Sequence, residues 1–167
     1  GPFLNKKNHF IAGHEFGGIV EDVGDKNDSN LIGKQVAVTP LINCGYCGQC
    51  KSGFQNTCDN AIYYGLNGKN GGFAEYACVN KENIFPIDDE SIMTVIEPLL
   101  VAIHAVSKVR DDIKNKKICV LGAGTIGICV ASVLKYYCKA EPVINDILLS
   151  RLERVKNVGF NTASKSE

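Results

Sequence analysis

The sequence predicts a protein of mixed β and α/β class, in which a small β module is followed by the first βαβα unit of a parallel sheet. Up to about Pro86, short runs of β-forming residues are broken by glycine, asparagine and aspartate clusters, a pattern typical of a barrel or sandwich. From Ser91 onward the apolar residues follow helical spacing, and a glycine-rich turn then separates a strand-like run from a helical one. The boundary between the two modules is therefore expected between Pro86 and Lys116.

The first module is expected to contain strands at residues 18–23, 34–38 and 73–79, the last of them after the pair Gly71 and Gly72. A cysteine-rich stretch with little periodicity separates the second strand from the third, and it is predicted to be a loop.

The second module begins with a helical pattern that we expect to break or restart at Pro98. The elements predicted after it are a strand at 117–121, a helix at 125–137, a strand at 143–145, and a helix that begins at a Ser150–Glu153 capping box and ends at Gly159. A parallel sheet needs more than two strands, so this module is expected to be incomplete.

Composition excludes several classes of function. The chain has 167 residues, with 18 basic and 18 acidic side chains and a formal charge of +0, so no basic field favours nucleic acid or anionic lipid. No apolar run approaches the roughly 20 residues that span a bilayer, and the first ten residues lack the apolar core of a signal peptide. We expect a soluble protein of the cytoplasm, a reducing compartment in which cysteines serve as metal ligands or as small core residues.

Four of the eight cysteines carry the strongest signal in the sequence. Cys44, Cys47, Cys50 and Cys58 have the spacing C-x2-C-x2-C-x7-C, which lets four thiolates from one loop surround a tetrahedral ion. Four sulfur ligands leave no open position, so the predicted zinc site is structural rather than catalytic. Another metal or a pair of disulfides is the alternative. The remaining cysteines fall in strand or helix patterns and are expected in the core: Cys78, Cys119, Cys129 and Cys138.

Residues 122–127 read G-x-G-x-x-G and lie between a predicted strand and a predicted helix. In this context Gly122 allows a tight turn, Gly124 lets a pyrophosphate approach the backbone, and Gly127 allows the helix to pack closely on the sheet. Thr125 and Ile126 open the helix, whose N-terminal N–H groups favour phosphate. The alternative is a glycine-rich turn that binds no ligand.

Asp146 lies at the end of the second predicted strand, 146 − 127 = 19 residues beyond the last glycine of the turn. A carboxylate there accepts hydrogen bonds from ribose hydroxyls and repels a 2′-phosphate, which favours NAD over NADP. Arg151 is a candidate contact for the adenosine ribose or, alternatively, a solvated residue of the first helical turn.

His14, Glu15 and Glu97 form a candidate catalytic metal site. A neutral imidazole and two carboxylates suit a zinc ion that keeps one position open for water or an alcohol. His14 and Glu97 each also have a structural interpretation, and sequence spacing does not establish that Glu97 meets His14 in space.

These motifs together resemble the zinc-containing medium-chain alcohol dehydrogenase family, and within it the polyol and 2,3-butanediol dehydrogenase branch. The matching pieces occur in family order and are residues 13–20 with Val23 and Gly24, the four cysteines, residues 71–76, Glu97-Pro98-Leu99 with residues 104–106, and the glycine fingerprint with Asp146.

The resemblance implies a GroES-like β-barrel portion followed by the first βαβα unit of a Rossmann domain, both incomplete. The expected divisions are a GroES-like portion with the zinc lobe at 1–88, connecting helices at 89–116, and the start of the NAD-binding domain at 117–167. In such enzymes a zinc ion acts as a Lewis acid on the alcohol, and hydride passes to NAD. His14 resembles the histidine ligand, Glu15 its neighbouring carboxylate, and Glu97 the residue at a position where classical members carry a cysteine.

The resemblance further implies a dimer or tetramer that oxidises a small alcohol. A vicinal diol or acetoin is the favoured substrate, because residues 65–68 resemble a turn of butanediol dehydrogenases. Family chains are about twice as long, and their first zinc ligand is a cysteine upstream of the His-Glu motif, which this sequence lacks. We therefore expect a central fragment that by itself turns over poorly or not at all. The alternative is a non-catalytic binding or structural module that is stabilised by zinc.

Overall fold

The computed structural model describes residues 10–113 and 116–164. The chain divides into two compact units, Gly1–Glu97 and Pro98–Glu167. The mixed β and α/β class predicted from the sequence is confirmed. Within the described ranges, no helix is both long and apolar enough to cross a membrane.

In its described part, residues 10–97, the first unit forms two three-stranded sheets. In one, β2 (Gln35–Val38) lies between β1 (Gly17–Ile19) and β6 (Ile84–Pro86), and both pairings are antiparallel. In the other, β4 (Ile62–Tyr64) pairs antiparallel with β3 (Leu41–Ile42) and parallel with β5 (Gly68–Lys69). The connections include one α-helical turn, α1 (Gly48–Lys51), and 3-10 turns at Lys26–Leu31, Gln55–Thr57, Lys81–Asn83 and Glu90–Ile92.

Buried side chains of β2 and β4 form the centre of this unit. Val36 and Val38 are buried, and Tyr64 is almost completely enclosed while its hydroxyl accepts a hydrogen bond of 2.8 Å from the Asn80 N–H. The buried amide of Asn83 donates to the carbonyl oxygens of Thr39 and Leu41, both at 2.7 Å. This side chain therefore ties the end of β2 to the start of β3.

Three features of the first unit differ from the prediction. The first strand ends at Ile19 rather than Val23, because Asp22 and Asp25 turn the chain by accepting hydrogen bonds from nearby backbone N–H groups. Residues 73–79 form no strand, since no neighbouring strand in the described chain pairs with them. The cysteine-rich stretch is not only a loop, because α1 lies within it.

The second unit is built on a parallel sheet in the order β7-β8-β9, formed by Cys119–Leu121, Val143–Asn145 and Asn161–Ala163. Helix α3 (Thr125–Ser132) connects β7 to β8, and α4 (Leu149–Asn157) connects β8 to β9. Helix α2 extends from Ile96 to Ser107. Ile144 is fully buried at the centre of an apolar cluster that includes Val120 and Val155.

Helix α2 begins at Ile96, after the 3-10 turn at Glu90–Ile92, so the helical pattern restarts two residues before Pro98, close to the predicted position. Pro98 is the third residue of the helix, where a backbone N–H has no intrahelical acceptor and its loss costs little. The predicted helix at 125–137 has two parts, since α3 ends at Ser132 and the chain continues as a π-helical turn at Val133–Tyr137.

The predicted capping box at Ser150 and Glu153 is also wrong. Helix α4 begins after Leu148, and that residue's backbone N–H donates to Asp146 instead. Strand β9 was missed because its sequence, Asn-Thr-Ala, is short and mostly polar. Cys78 and Cys119 are exposed rather than in the core, and Cys119 lies on β7, an edge strand of the three-stranded sheet that the described residues form.

Candidate metal and dinucleotide sites

The four cysteines predicted to bind zinc meet in one cluster. Their Sγ atoms all lie within 4.8 Å of one another, with Cys44 4.0 Å from Cys50 and Cys47 3.9 Å from Cys58. A tetrahedron with zinc–sulfur distances of about 2.3 Å has edges of about 3.8 Å, close to these separations. The residues present therefore fit a structural zinc ion.

Backbone donors around the cluster favour thiolates over thiols. The N–H groups of Cys47 and Cys50 donate to the sulfur atoms three residues earlier, both at 3.4 Å, and the Cys44 N–H donates to Cys58 Sγ at 3.3 Å. The amide of Asn60 lies 3.7 Å from Cys44 Sγ and adds a donor that the sequence did not indicate. Such hydrogen bonds stabilise negative charge on sulfur.

The four sulfur atoms do not carry this charge equally. Desolvation raises the pKa of Cys44, but donors from Tyr46, Cys47, Asn60 and Cys58 outweigh it and lower the pKa to about 6. Desolvation and the neighbouring sulfur of Cys47 raise the pKa of Cys50 to about 12. The cluster therefore opposes full ionisation by itself, and a divalent cation would supply the missing positive charge.

A second group brings together the predicted catalytic residues. One ligand atom each from His14, Glu15 and Glu97 lies within 4.8 Å of the others, and His14 Nε2 is 4.0 Å from Glu15 Oε1. His14 and Glu15 lie just before β1, separated from it by Phe16, whereas Glu97 lies in the first turn of α2.

The electrostatics of this second group suit a cation. Burial raises the pKa of the Glu97 carboxyl group, the nearby His14 imidazole lowers it, and the Glu15 carboxylate raises it. Two carboxylates and one imidazole at this spacing form a donor set for a divalent ion that leaves further coordination positions open.

The glycine-rich turn has the geometry that its three glycines predict. Gly122 has a φ of +107°, which a residue with a Cβ rarely adopts, and its N–H donates to the Asn145 carbonyl at 2.7 Å. A Cβ at Gly127 would lie 1.9 Å from the Gly122 carbonyl oxygen, whereas a Cβ at Gly124 would meet nothing within 4 Å. Packing therefore requires glycine at position 127, whereas Gly124 leaves space beside the backbone.

Helix α3 presents its N-terminus to this space. Gly124 is the N-cap residue, and no described side chain caps the first turn, which contains Thr125, Ile126 and Gly127. A cavity of about 270 Å³ adjoins it, lined by Ala123, Gly124, Thr125, Ile128, Arg151, Arg154 and Val155. Among the described residues, this lining includes two arginines and no carboxylate, so the cavity suits an anion such as a pyrophosphate.

Asp146 is buried beside the same turn. Its Oδ2 accepts a hydrogen bond from the Ala123 N–H and its Oδ1 from the Leu148 N–H, both at 2.8 Å, while Arg151 lies 3.6 Å from Oδ2. These donors, Leu148 first and Ala123 second, lower the pKa of Asp146 and keep it ionised. Oδ1 retains a second lone pair for a ribose hydroxyl, whereas Oδ2 already faces both the Ala123 N–H and Arg151.

Arg154 is the charged residue of this cavity that the sequence interpretation missed. It lies three positions after Arg151 on α4, and residues three apart share a helix face. That spacing was the available signal.

The first unit carries a four-cysteine lobe, and the second is a βαβαβ unit with a dinucleotide-type turn. Residues 2–89 match the family model described as the alcohol dehydrogenase GroES-like domain. The chain belongs to the zinc-containing medium-chain alcohol dehydrogenase family, as the sequence resemblance predicted.

Two curated relatives and one solved structure illustrate the similarity. The starvation-sensing protein RspB of Escherichia coli strain K12 is 34% identical over 157 residues, which are 92% of this chain and 46% of RspB. The (R,R)-butanediol dehydrogenase of Saccharomyces cerevisiae is 33% identical over 93% of this chain and 45% of its own length. The RspB alcohol dehydrogenase of E. coli CFT073, solved with NADH, matches with a TM-score of 0.84 and 32% identity over 93% of this chain and 47% of that structure. The chain therefore spans about half the length of these relatives.

Proposed function

We propose that this chain supplies the zinc and NAD sites of a dehydrogenase that oxidises a secondary alcohol of the vicinal diol or polyol class by hydride transfer. The observation that carries the proposal is the convergence of His14, Glu15 and Glu97, whose ligand atoms lie within 4.8 Å of one another although Glu97 is more than 80 residues away in sequence. A neutral imidazole beside two carboxylates has the composition of a zinc site with room for substrate.

In this proposal His14 and Glu97 hold the catalytic zinc, and Glu15 is a neighbouring carboxylate that ligates or exchanges. The metal supplies Lewis acidity towards the alcohol oxygen, and NAD supplies the hydride acceptor. Burial raises the pKa of the Glu97 carboxyl group, and a bound cation would stabilise its ionised form. Cys44, Cys47, Cys50 and Cys58 hold a second zinc, whose role is to stabilise the lobe.

The dinucleotide is held by the glycine-rich turn and the start of α4. The N–H groups of Thr125, Ile126 and Gly127 at the helix N-terminus would hold the pyrophosphate, and the open space at Gly124 would admit it. Asp146 accepts the ribose hydroxyls, and Arg151 and Arg154 add positive charge to the cavity. The carboxylate disfavours a 2′-phosphate, so we propose NAD rather than NADP.

The substrate class is supported by Glu97 and by a relative. A glutamate at this position favours the polyol branch of the family over the classical alcohol dehydrogenases, and the yeast relative is named for (R,R)-butanediol. We propose a cytoplasmic homo-oligomer as the assembly that carries this activity.

Two binding measurements test the proposal on the chain itself. We expect two zinc ions per chain by elemental analysis and an increase in NADH fluorescence on binding, with Glu97→Gln losing one zinc ion and retaining NADH. One zinc ion per chain, no NADH binding and a melting temperature that depends on a partner protein would instead support the non-catalytic module. Oxidation of vicinal diols, polyols and simple secondary alcohols by the protein then tests the substrate class.

A further inference from the structure

Residues 11–13, which precede His14, are held along their backbone by residues 70–73. The N–H groups of Gly71, Gly72 and Phe73 donate to the carbonyl oxygens of Ile11, Gly13 and Ala12 at 2.7, 2.9 and 3.0 Å, respectively. The Ile11 N–H donates in turn to Asn70 Oδ1 at 3.0 Å. Four hydrogen bonds therefore fix the segment that leads into the proposed metal ligands.

Three glycine backbones pack against one another at this point. A Cβ at Gly71 would lie 2.0 Å from the Gly13 carbonyl oxygen and 2.5 Å from the Gly65 Cα, and a Cβ at Gly65 would lie 2.1 Å from the same oxygen. Gly13 itself has a φ of +98°. Only glycine at positions 65 and 71 lets the chain approach Gly13 this closely, since the clashing atoms are backbone.

The contact continues on the other side of the ligand pair. A Cβ at Gly72 would lie 2.4 Å from Cγ of Phe16, so the Phe16 ring packs directly on the backbone of Gly72. His14 and Glu15 therefore lie between two points, Gly13 and Phe16, that the same short segment contacts.

We propose that Gly65 and the segment Asn70–Phe73 are the positioning element of the second metal site, holding His14 and Glu15 within reach of Glu97. This inference rests on the proposed function, because it assigns the element to that site. None of its residues contributes a ligand atom. The element acts through the backbone of residues 11–13 and the ring of Phe16.

Cobalt titration of the chain tests the proposal, because the two sites give different spectra. Sulfur-to-cobalt charge-transfer absorption reports only the four-cysteine cluster, which serves as an internal control for folding, and weaker visible bands report the site with nitrogen and oxygen ligands. For Gly71→Ala we expect cobalt affinity at the second site to fall about 10- to 100-fold, as for other residues that orient metal ligands, with the cysteine site unchanged. The matched control is Gly18→Ala in β1, where a Cβ would meet nothing within 4 Å.

Two variants at Asn70 perturb the segment less and test the same role if Gly71→Ala fails to fold. Asn70→Leu removes the acceptor for the Ile11 N–H, whereas Asn70→Asp retains it. We expect the leucine variant to bind cobalt several-fold more weakly at the second site and the aspartate variant to keep the wild-type affinity.

The positioning role is overturned if the wild type, Asn70→Leu and any folded Gly71→Ala protein bind cobalt at the second site with equal affinity. It is also overturned if Asn70→Leu loses cobalt binding at both sites in parallel. A wild-type chain that binds only one cobalt ion contradicts the proposed function as well. That failure is distinguishable because it is seen before any substitution is made.

Discussion

Replacing Gly127 with alanine places a methyl group against the turn that begins the dinucleotide site. The new Cβ would lie 1.9 Å from the Gly122 carbonyl oxygen and 2.9 Å from its carbonyl carbon. Ordinary contact needs more than 3 Å, so helix α3 and the turn must separate by about 1 Å. Overpacking of this kind costs about 1–3 kcal/mol, and the backbone identity of the clashing atoms favours the upper end.

Gly124→Ala is the matched variant, because it adds the same methyl group three residues earlier in the same turn. No atom lies within 4 Å of the added Cβ, and Gly124 has an extended backbone conformation that alanine readily adopts. Its only local cost is the poorer N-cap, less than about 1 kcal/mol. The methyl group nevertheless occupies the space through which a pyrophosphate would approach the N-terminus of α3, so we expect NADH binding to weaken at least about 10-fold, or 1.4 kcal/mol.

Urea denaturation and NADH fluorescence titration of both variants measure the two effects separately. The two variants should lose different properties. We expect Gly127→Ala to lose stability, and Gly124→Ala to lose NADH affinity while remaining stable. Equal destabilisation by the two substitutions would refute the packing argument. Unchanged NADH affinity in Gly124→Ala would refute the placement of the pyrophosphate.

Three further predictions concern the zinc lobe, the aspartate and the core. Cys58→Ser should lose the structural zinc ion and lower the melting temperature, measured by elemental analysis and calorimetry, whereas Cys78→Ser, outside the cluster, should change neither. Asp146→Asn should destabilise the chain at neutral pH, because asparagine has one acceptor oxygen for two backbone donors. The pKa of Asp146 is lower in the folded state, so its ionised side chain stabilises the folded chain above about pH 4. This stabilisation is lost as the pH falls through the folded pKa. The urea midpoints of the variant and wild type should therefore converge at acid pH. Ile144→Ala should cost about 2–5 kcal/mol because the side chain is fully buried, and Ile147→Ala, at 89% exposed, less than about 0.5 kcal/mol; equal urea midpoints would contradict the assigned core.

Local patterns in the sequence predicted the elements that depend on local chemistry. Strand β8 and the C-terminal end of α4 were found because a short apolar run and a terminal glycine determine them. Strand β9 was missed because a parallel neighbour, rather than its own polar sequence, makes it a strand. The predicted strand at 73–79 failed for the converse reason, since β-forming residues there have no partner strand in the described chain.

The candidate sites were predictable to the degree that their residues are close together in the sequence. The four cysteines lie within 15 residues, so their spacing alone indicated that their sulfur atoms would meet. The convergence of His14 with Glu97 depends on tertiary structure and did not follow from spacing. The donors to sulfur and the glycine packing around Gly13 also required coordinates, because they arise from backbone geometry rather than from residue type.

Anomalous diffraction at the zinc edge, from crystals of the chain grown with zinc, tests the central claim most directly. The account predicts two peaks, one among the sulfur atoms of Cys44, Cys47, Cys50 and Cys58, and one bounded by His14, Glu15 and Glu97. A single peak in the cysteine cluster, or a second peak away from those three side chains, would contradict the proposed catalytic zinc site.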